Sequence, residues 1–105
     1  MQMTGIGGCR SSGGITADTQ IVTGQGKLTS IHGLATAAGL TNIKVYDATS
    51  SAGASNDTLI GQLVVDFGIL PYAEADMHGV LFKNGLYADV TVASGSAATF
   101  TVEFI

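Results

Sequence analysis

The sequence is poor in charge, proline and cysteine, and it contains no tryptophan. Only 11% of its 105 residues are charged, against about 25% in a typical soluble domain. A monomer with so little charge would have a poorly soluble surface, so the composition favours a subunit of a larger assembly. The single cysteine excludes the disulfide framework of small secreted scaffolds.

Length and charge balance narrow the class further. The chain is long enough for one domain, and its 46% hydrophobic content is opposite to the signature of disorder. A net charge of −4 argues against a general nucleic-acid binder, because such a protein would carry a clustered basic face. The most apolar run, residues 59–70, is interrupted by Gln62 and Asp66 and is too short to cross a bilayer. We therefore expect neither a nucleic-acid nor a membrane partner.

Residues 1–16 form a separate compositional zone, in which five glycines stand among small polar residues. Such a stretch has little to bury and a high backbone entropy. The sequence predicts an extended N-terminal arm over residues 1–16, followed by a β-sandwich domain over residues 17–105. The arm is expected to dock on a partner through Ile6, Cys9, Arg10 and Ile15. It has neither the basic region nor the apolar region of a signal peptide.

From Thr16 onward the hydrophobic pattern has a period of two, which is typical of β-strands. Seven segments are predicted as strands: residues 19–23, 27–34, 43–48, 58–67, 77–82, 86–92 and 99–104. Residues 49–56 and 68–75 are loops by composition, and Asn84-Gly85 predicts a hairpin turn. Seven or eight short strands at this spacing predict an all-β fold, an antiparallel β-sandwich of the jelly-roll type.

Two strands allow their faces to be assigned. In the last strand, Phe100, Val102 and Phe104 alternate with polar residues and are predicted to point into the core. Strict alternation over residues 27–34 puts Leu28 on the same face as His32.

The polar residues contain no catalytic signature. Asp76-Met77-His78 has the most ligand-like spacing, and a zinc site that recruits His32 or Cys9 stays open, although closed structural sites need four protein ligands. We expect packed or surface histidines, with no metal ion and no cofactor.

The sequence supports an enzymatic interpretation of the polar residues less well than a structural one. No Gly-x-Ser-x-Gly elbow occurs. Carboxylates that are available for paired acid chemistry are scattered along the chain: Asp47, Asp57, Asp66, Glu74, Asp76 and Asp89. Asp47 and residues 55–57 could bind calcium through oxygen atoms, but the same residue types serve turns. Gly24-x-Gly26-Lys27 does not match a phosphate-binding loop, which is eight residues long and has Ser or Thr after the lysine. We therefore predict a protein that is not an enzyme.

Three segments together resemble a group of small structural proteins of tailed bacteriophages. They are residues 26–33 (GKLTSIHG), residues 43–53 (IKVYDATSSAG) leading to residues 59–61, and residues 79–87 (GVLFKNGLY). In such proteins a strand that ends in Tyr-Asp precedes a small-residue loop, and a later Phe-x-Asn-Gly-Leu segment precedes two alternating strands. The resemblance spans about residues 22–105.

The resemblance implies a virion component, a capsid decoration or cement protein without an active site. Its partner would be the major capsid protein, and trimeric clustering at threefold positions is what the family suggests. The alternative is a carbohydrate-binding or adhesin-like β-sandwich on a phage collar, tail or fibre. That alternative requires exposed aromatic side chains, for which Tyr46, Tyr72 and Tyr87 are the candidates.

Overall fold

The computed structural model describes residues 9–105, and within them it confirms the predicted all-β class. Eight strands follow one another along the chain: β1 (Arg10–Ser11), β2 (Thr19–Thr23), β3 (Gly26–Ala37), β4 (Leu40–Tyr46), β5 (Leu59–Asp66), β6 (Tyr72–Phe82), β7 (Gly85–Val92) and β8 (Ala97–Phe104). In the described residues, the single helical element is a 3-10 turn at Ser51–Gly53. No helix in that part of the chain has the length and apolar character needed to cross a bilayer.

The strands form two antiparallel sheets of four strands each. Sheet 1 has the order β1-β8-β3-β6, and sheet 2 has the order β2-β7-β4-β5. Because each strand alternates its side chains between two faces, each sheet buries one face against the other. Every connection except β4–β5 passes from one sheet to the other.

The core lies between the two sheets and is made of alternating apolar positions. Phe100, Val102 and Phe104 are buried, which confirms the predicted inward face of the last strand. Gly33 lies beneath the Phe100 ring, where a Cβ atom would come within 2.7 Å of Cε1 of that ring. Glycine at this position therefore lets β3 and the large ring of β8 approach closely.

The predicted face of Leu28 is wrong because β3 contains a bulge. Leu28 pairs with Phe104 and Ser30 pairs with Glu103, so Thr29 has no partner of its own on β8. The extra residue reverses the alternation, since a bulge inserts one residue into one strand only. Leu28 is consequently buried in the core, while Ser30 and His32 lie on the outer face of sheet 1.

Two predicted connections differ from the structure. Residues 68–75 were expected to be a loop, but β6 begins at Tyr72, where it pairs with Leu34 of β3. Asn84-Gly85 was expected to form a hairpin, but β6 and β7 belong to different sheets. The turn crosses the sandwich, and Asn84 does not adopt the positive φ that a type I′ hairpin requires.

Residues 9–16, the described part of the predicted arm, run along the edge of sheet 1. Arg10 and Ser11 pair with β8, and Ile15 forms an isolated bridge with Phe100. The Ile15 N–H donates to the Phe100 carbonyl at 2.7 Å, and the Phe100 N–H donates back at 2.9 Å. This segment therefore covers the backbone edge of β8 in the chain's own sandwich.

Replacing Phe100 by alanine tests the packing of this core. The Phe100→Ala variant should lose about 3–5 kcal/mol of unfolding free energy, because the ring leaves a cavity between the sheets. Urea denaturation followed by circular dichroism measures the loss. Thr99→Ala, on the outer face of the same strand, is the matched control and should change the unfolding free energy by less than about 0.5 kcal/mol. A loss below about 1 kcal/mol for Phe100→Ala would contradict the assigned core.

Candidate functional site at the two ends of the sandwich

The lower end of the sandwich, where β6 turns into β7, is held by the carboxylate of Asp47. Asp47 Oδ2 accepts a hydrogen bond from the Lys83 N–H at 3.0 Å. Asp47 Oδ1 accepts from the N–H groups of Asn84 at 2.8 Å and Gly85 at 3.4 Å. The Tyr-Asp segment and the Phe-x-Asn-Gly segment, far apart in sequence, thus meet through one side chain and one turn.

The hydrogen bonds at this turn favour the ionised form of Asp47. Burial alone raises the pKa of Asp47, but the three backbone donors and the nearby positive charge of Lys83 outweigh burial and leave the pKa below its ordinary value. Asp47 therefore has a structural role in the turn, in place of the calcium ligation that its sequence context left open.

A cleft of about 490 Å³ opens beside this turn, between the β2–β3 and β6–β7 connections. It is lined by Gln25, Gly26, Lys27, Leu81, Phe82 and Lys83, and we call it the basic cleft. The chain has four Lys and Arg residues. Lys27 and Lys83 line the cleft, and Arg10 lies at the same end, next to Phe104. The fourth, Lys44, lies in the middle of sheet 2, opposite Asp89.

The upper end of the sandwich has a different chemistry. There the β3–β4, β5–β6 and β7–β8 connections are joined by backbone hydrogen bonds. The Phe67 N–H donates to the Gly39 carbonyl at 3.2 Å, and the Ala93 N–H donates to the Leu40 carbonyl at 3.1 Å. The three connections therefore form one continuous surface.

The strands and connections at this end expose eight large apolar side chains, which together define the apolar end. Leu34 and Tyr72 belong to sheet 1, Leu40, Val64 and Val92 belong to sheet 2, and Phe67, Ile69 and Leu70 lie on the β5–β6 connection between the sheets. Among the residues of these segments (34–40, 64–72 and 92–96), Asp66 is the only charged one. At roughly 100 Å² for each half-exposed large side chain, they present on the order of 800 Å² in total, divided between the two sheets and the connection that joins them. Exposed apolar surface of this kind is typical of a site that a partner covers.

The most prominent residue of the apolar end is held by a rigid turn. Asp66 and Leu70 exchange backbone hydrogen bonds of 2.9 and 2.7 Å, and Asp66 Oδ1 accepts from the Gly68 N–H at 3.0 Å. Ile69 projects from the tip of this turn and is 84% exposed. A fixed, exposed isoleucine loses little entropy when it enters a partner's pocket.

Of the expected partner-contacting residues of the arm, the structure describes Cys9, Arg10 and Ile15, and it does not bring these three to one surface. Cys9 and Arg10 are exposed at the lower end, where Cys9 Sγ lies 3.2 Å from Thr29 Oγ1 and the Arg10 guanidinium lies 4.6 Å from the centre of the Phe104 ring. Ile15 is 2% exposed and packs in the chain's own core in place of the expected partner contact. Ile6 lies outside the described residues.

The two histidines are brought neither to each other nor to Cys9. His78 Nδ1 lies 3.6 Å from Asp76 Oδ1 on the exposed edge strand β6, and His32 Nε2 lies 3.8 Å from Glu103 Oε1 on the outer face of sheet 1. In the part of the chain that the structure describes, no three His, Cys, Asp or Glu side chains are grouped as metal ligands.

A pair of carboxylates that the sequence did not predict lies on the outer face of sheet 2. Asp18 accepts a hydrogen bond from the Val90 N–H at 2.8 Å, and its carboxylate lies beside that of Asp89. Burial raises the pKa of Asp89, as do the negative charge of Asp18 and the hydrogen bond that protonated Asp89 donates to Asp18, and Lys44 opposes the rise. The hydrogen bond from the Val90 N–H to Asp18 links the segment before β2 to β7.

Comparison with known proteins gives no relative: no family model, no curated protein and no solved structure matches this chain.

The sequence reasoning missed both ends of the sandwich as candidate sites. Residues 68–72 fall within the predicted loop 68–75, although an uncharged apolar loop segment is itself an unusual signal, because loops lie on the surface. No sequence pattern indicated the basic cleft, because Lys27 and Lys83 are far apart in the chain.

Removing the Asp47 carboxylate should destabilise the fold in a pH-dependent way. Asp47→Ala leaves three N–H groups without their acceptor, and the loss of unfolding free energy should be about 1–3 kcal/mol at neutral pH. Because the pKa of Asp47 is lowered in the folded state, this stabilisation is complete above the ordinary pKa and disappears as the pH falls below about 4. Urea titrations at several pH values measure it, with exposed Asp57→Ala as the control. An equal loss at all pH values would contradict this role.

Neutralising Asp89 should stabilise the fold, whereas removing the Asp47 carboxylate should destabilise it. Since the pKa of Asp89 is raised in the folded state, ionisation of Asp89 destabilises the fold, and stability falls as the pH rises through that pKa. Asp89→Asn should therefore melt at a higher temperature than the parent chain at neutral pH. The difference should vanish in acid, where the parent Asp89 is also neutral. Thermal melts at neutral and acidic pH test this, and a destabilised Asp89→Asn protein at neutral pH would contradict it.

Proposed function

We propose that this chain is a non-enzymatic structural protein of a bacteriophage virion, a capsid decoration or cement protein that stabilises the head by bridging subunits of the major capsid protein. The observation that carries the proposal is the apolar end, which carries eight exposed large apolar side chains and one carboxylate. Exposed apolar surface of this kind marks a site where a partner binds. A decoration protein that clusters on a shell needs such a surface for self-association and needs no catalytic group.

The strand order supports the same proposal. Sheets ordered β1-β8-β3-β6 and β2-β7-β4-β5 agree with a jelly roll, in which eight strands form two Greek keys. Jelly rolls occur in viral capsid proteins and in lectins. A fold alone does not assign a function, so this support is an analogy that adds to the resemblance of residues 22–105 to phage structural proteins.

The two ends suggest how the protein would act. We infer a homotrimer in which three apolar ends meet at the threefold axis and cover one another. The molecule is 41 Å long, and the lower ends would then point away from the axis towards different capsid subunits. Arg10 and Cys9 lie at that lower end, so a glycine-rich arm that begins there would reach the shell.

The alternative function, a carbohydrate-binding or adhesin-like sandwich, has one observation in its favour. Tyr72 is 51% exposed beside a shallow groove on the outer face of sheet 1, which His32 and Thr101 also line. Tyr46 is 8% exposed and Tyr87 is half-buried, so of the three tyrosines only Tyr72 offers an open ring for stacking on a sugar. A glycan array separates this alternative from an assembly role.

The apolar end is tested by placing a charge at its most exposed position. The unmodified chain should be a trimer at micromolar concentration, and Ile69→Glu should be monomeric, because three carboxylates would be buried against apolar surface. Native mass spectrometry and sedimentation measure the oligomeric state. Ile105→Glu makes the same change at an exposed isoleucine of the lower end, so it should remain trimeric.

Two results would contradict the proposal. The first is a stable, soluble monomer of the unmodified chain at micromolar concentration. The second is equal dissociation of Ile69→Glu and Ile105→Glu, which would show that the effect is one of net charge and not of the apolar end.

A further inference from the structure

The basic cleft carries charge of the opposite sign to the chain as a whole. The net charge is −4, but Lys27 and Lys83 line this one cleft and Arg10 lies at the same end. Both lysines are exposed, so their side chains reach solvent at the mouth of the cleft. A potential of this sign attracts anionic groups towards a surface that would otherwise repel them.

The wall and floor of the cleft are apolar. Leu81 is 69% exposed, and the adjacent Phe82 ring is buried next to Gly26. A Cβ atom at Gly26 would lie 2.7 Å from Cζ of Phe82, so glycine at this position lets the Phe82 ring pack directly against the backbone of β3. The volume of about 490 Å³ is within the range of ligand pockets, roughly 300–1,000 Å³.

Both lysines project from fixed backbone. Lys27 exchanges backbone hydrogen bonds of 3.1 and 2.9 Å with Ile105, and the Lys83 N–H is bound by Asp47. Lys27 on β3 and Lys83 on the β6–β7 turn therefore belong to two separate elements, and both line the cleft together with Leu81.

We propose that the basic cleft binds an acidic, apolar polypeptide segment of the partner protein. An apolar side chain of that segment packs on Leu81, and flanking carboxylates pair with Lys27 and Lys83. The inference rests on the proposed assembly role and names the chemistry of the partner segment at the lower end. The apolar floor favours a peptide over a nucleic acid, whose phosphates would require a wider basic face than this acidic chain provides.

The experiment titrates ¹⁵N-labelled protein with the peptide Ac-Phe-Glu-Leu-Glu-NH2 and with its neutral counterpart Ac-Phe-Gln-Leu-Gln-NH2. The acidic peptide should cause saturable shifts in the amide signals of residues 25–27 and 81–83. It should bind about tenfold more tightly than the neutral peptide, and its affinity should fall at high salt, because the pairing is electrostatic. Titrations in the Ile69→Glu background make the result independent of the trimer.

Matched charge reversals locate the site. Lys27→Glu and Lys83→Glu should each weaken binding of the acidic peptide by about tenfold or more. Lys44→Glu makes the same charge change on sheet 2, away from the cleft, and should bind as the parent does. Thermal melts confirm that each variant is folded, and Lys27→Gln and Lys83→Gln replace any variant that is not.

Four outcomes would overturn the inference: no saturable shift, equal affinity for the neutral peptide, equal weakening by Lys44→Glu, or shifts of the cleft amides on concentrating the protein alone. The last outcome would assign the cleft to a second copy of this chain. None of these outcomes bears on the oligomeric state of Ile69→Glu, so this inference and the proposed function fail separately.

Discussion

The two ends of this molecule are shaped by one topological constraint: every connection except β4–β5 passes from one sheet to the other. A crossing turn leaves the backbone ladder of its sheet, so its N–H and C=O groups must find other partners. At the lower end the Asp47 carboxylate supplies acceptors for three consecutive N–H groups. At the upper end the connections bond to one another through their backbones. The ends are consequently rigid, and rigid surfaces present side chains to partners at little entropic cost.

These two ways of satisfying the backbone groups of the connections are associated with different surfaces at the two ends. Where a carboxylate satisfies the turn, the adjacent residues are polar and charged, and Lys83 lies beside the basic cleft. Where the connections bond to one another through backbone groups, Asp66 also accepts a hydrogen bond within its turn, and the large exposed side chains are apolar. Ile69, at the tip of that turn, is 84% exposed. In the proposed assembly, the apolar end would serve self-association and the charged end would serve docking.

The fold class was predictable because the period-two alternation of apolar and polar residues can be recognised within each strand separately. Phe100, Val102 and Phe104 were assigned correctly since no bulge interrupts that face of β8 over these residues. Leu28 was assigned wrongly, because the bulge at Thr29 depends on the register with β8 and not on β3 itself. The hairpin expected at Asn84-Gly85 failed for a related reason. The local signal for a turn was right, but the sheet that receives the next strand is chosen by packing.

By itself, the sequence determined an all-β chain that is poor in charge and is built of alternating strands. These properties depend on composition and on neighbouring residues, which the sequence contains directly. Only the tertiary structure decided that Asp47 binds the turn at residues 83–85, that Lys27 and Lys83 share a cleft, and that Ile15 enters the core. Each of these joins residues distant in the chain, and such contacts follow from how two sheets pack, which no local pattern encodes.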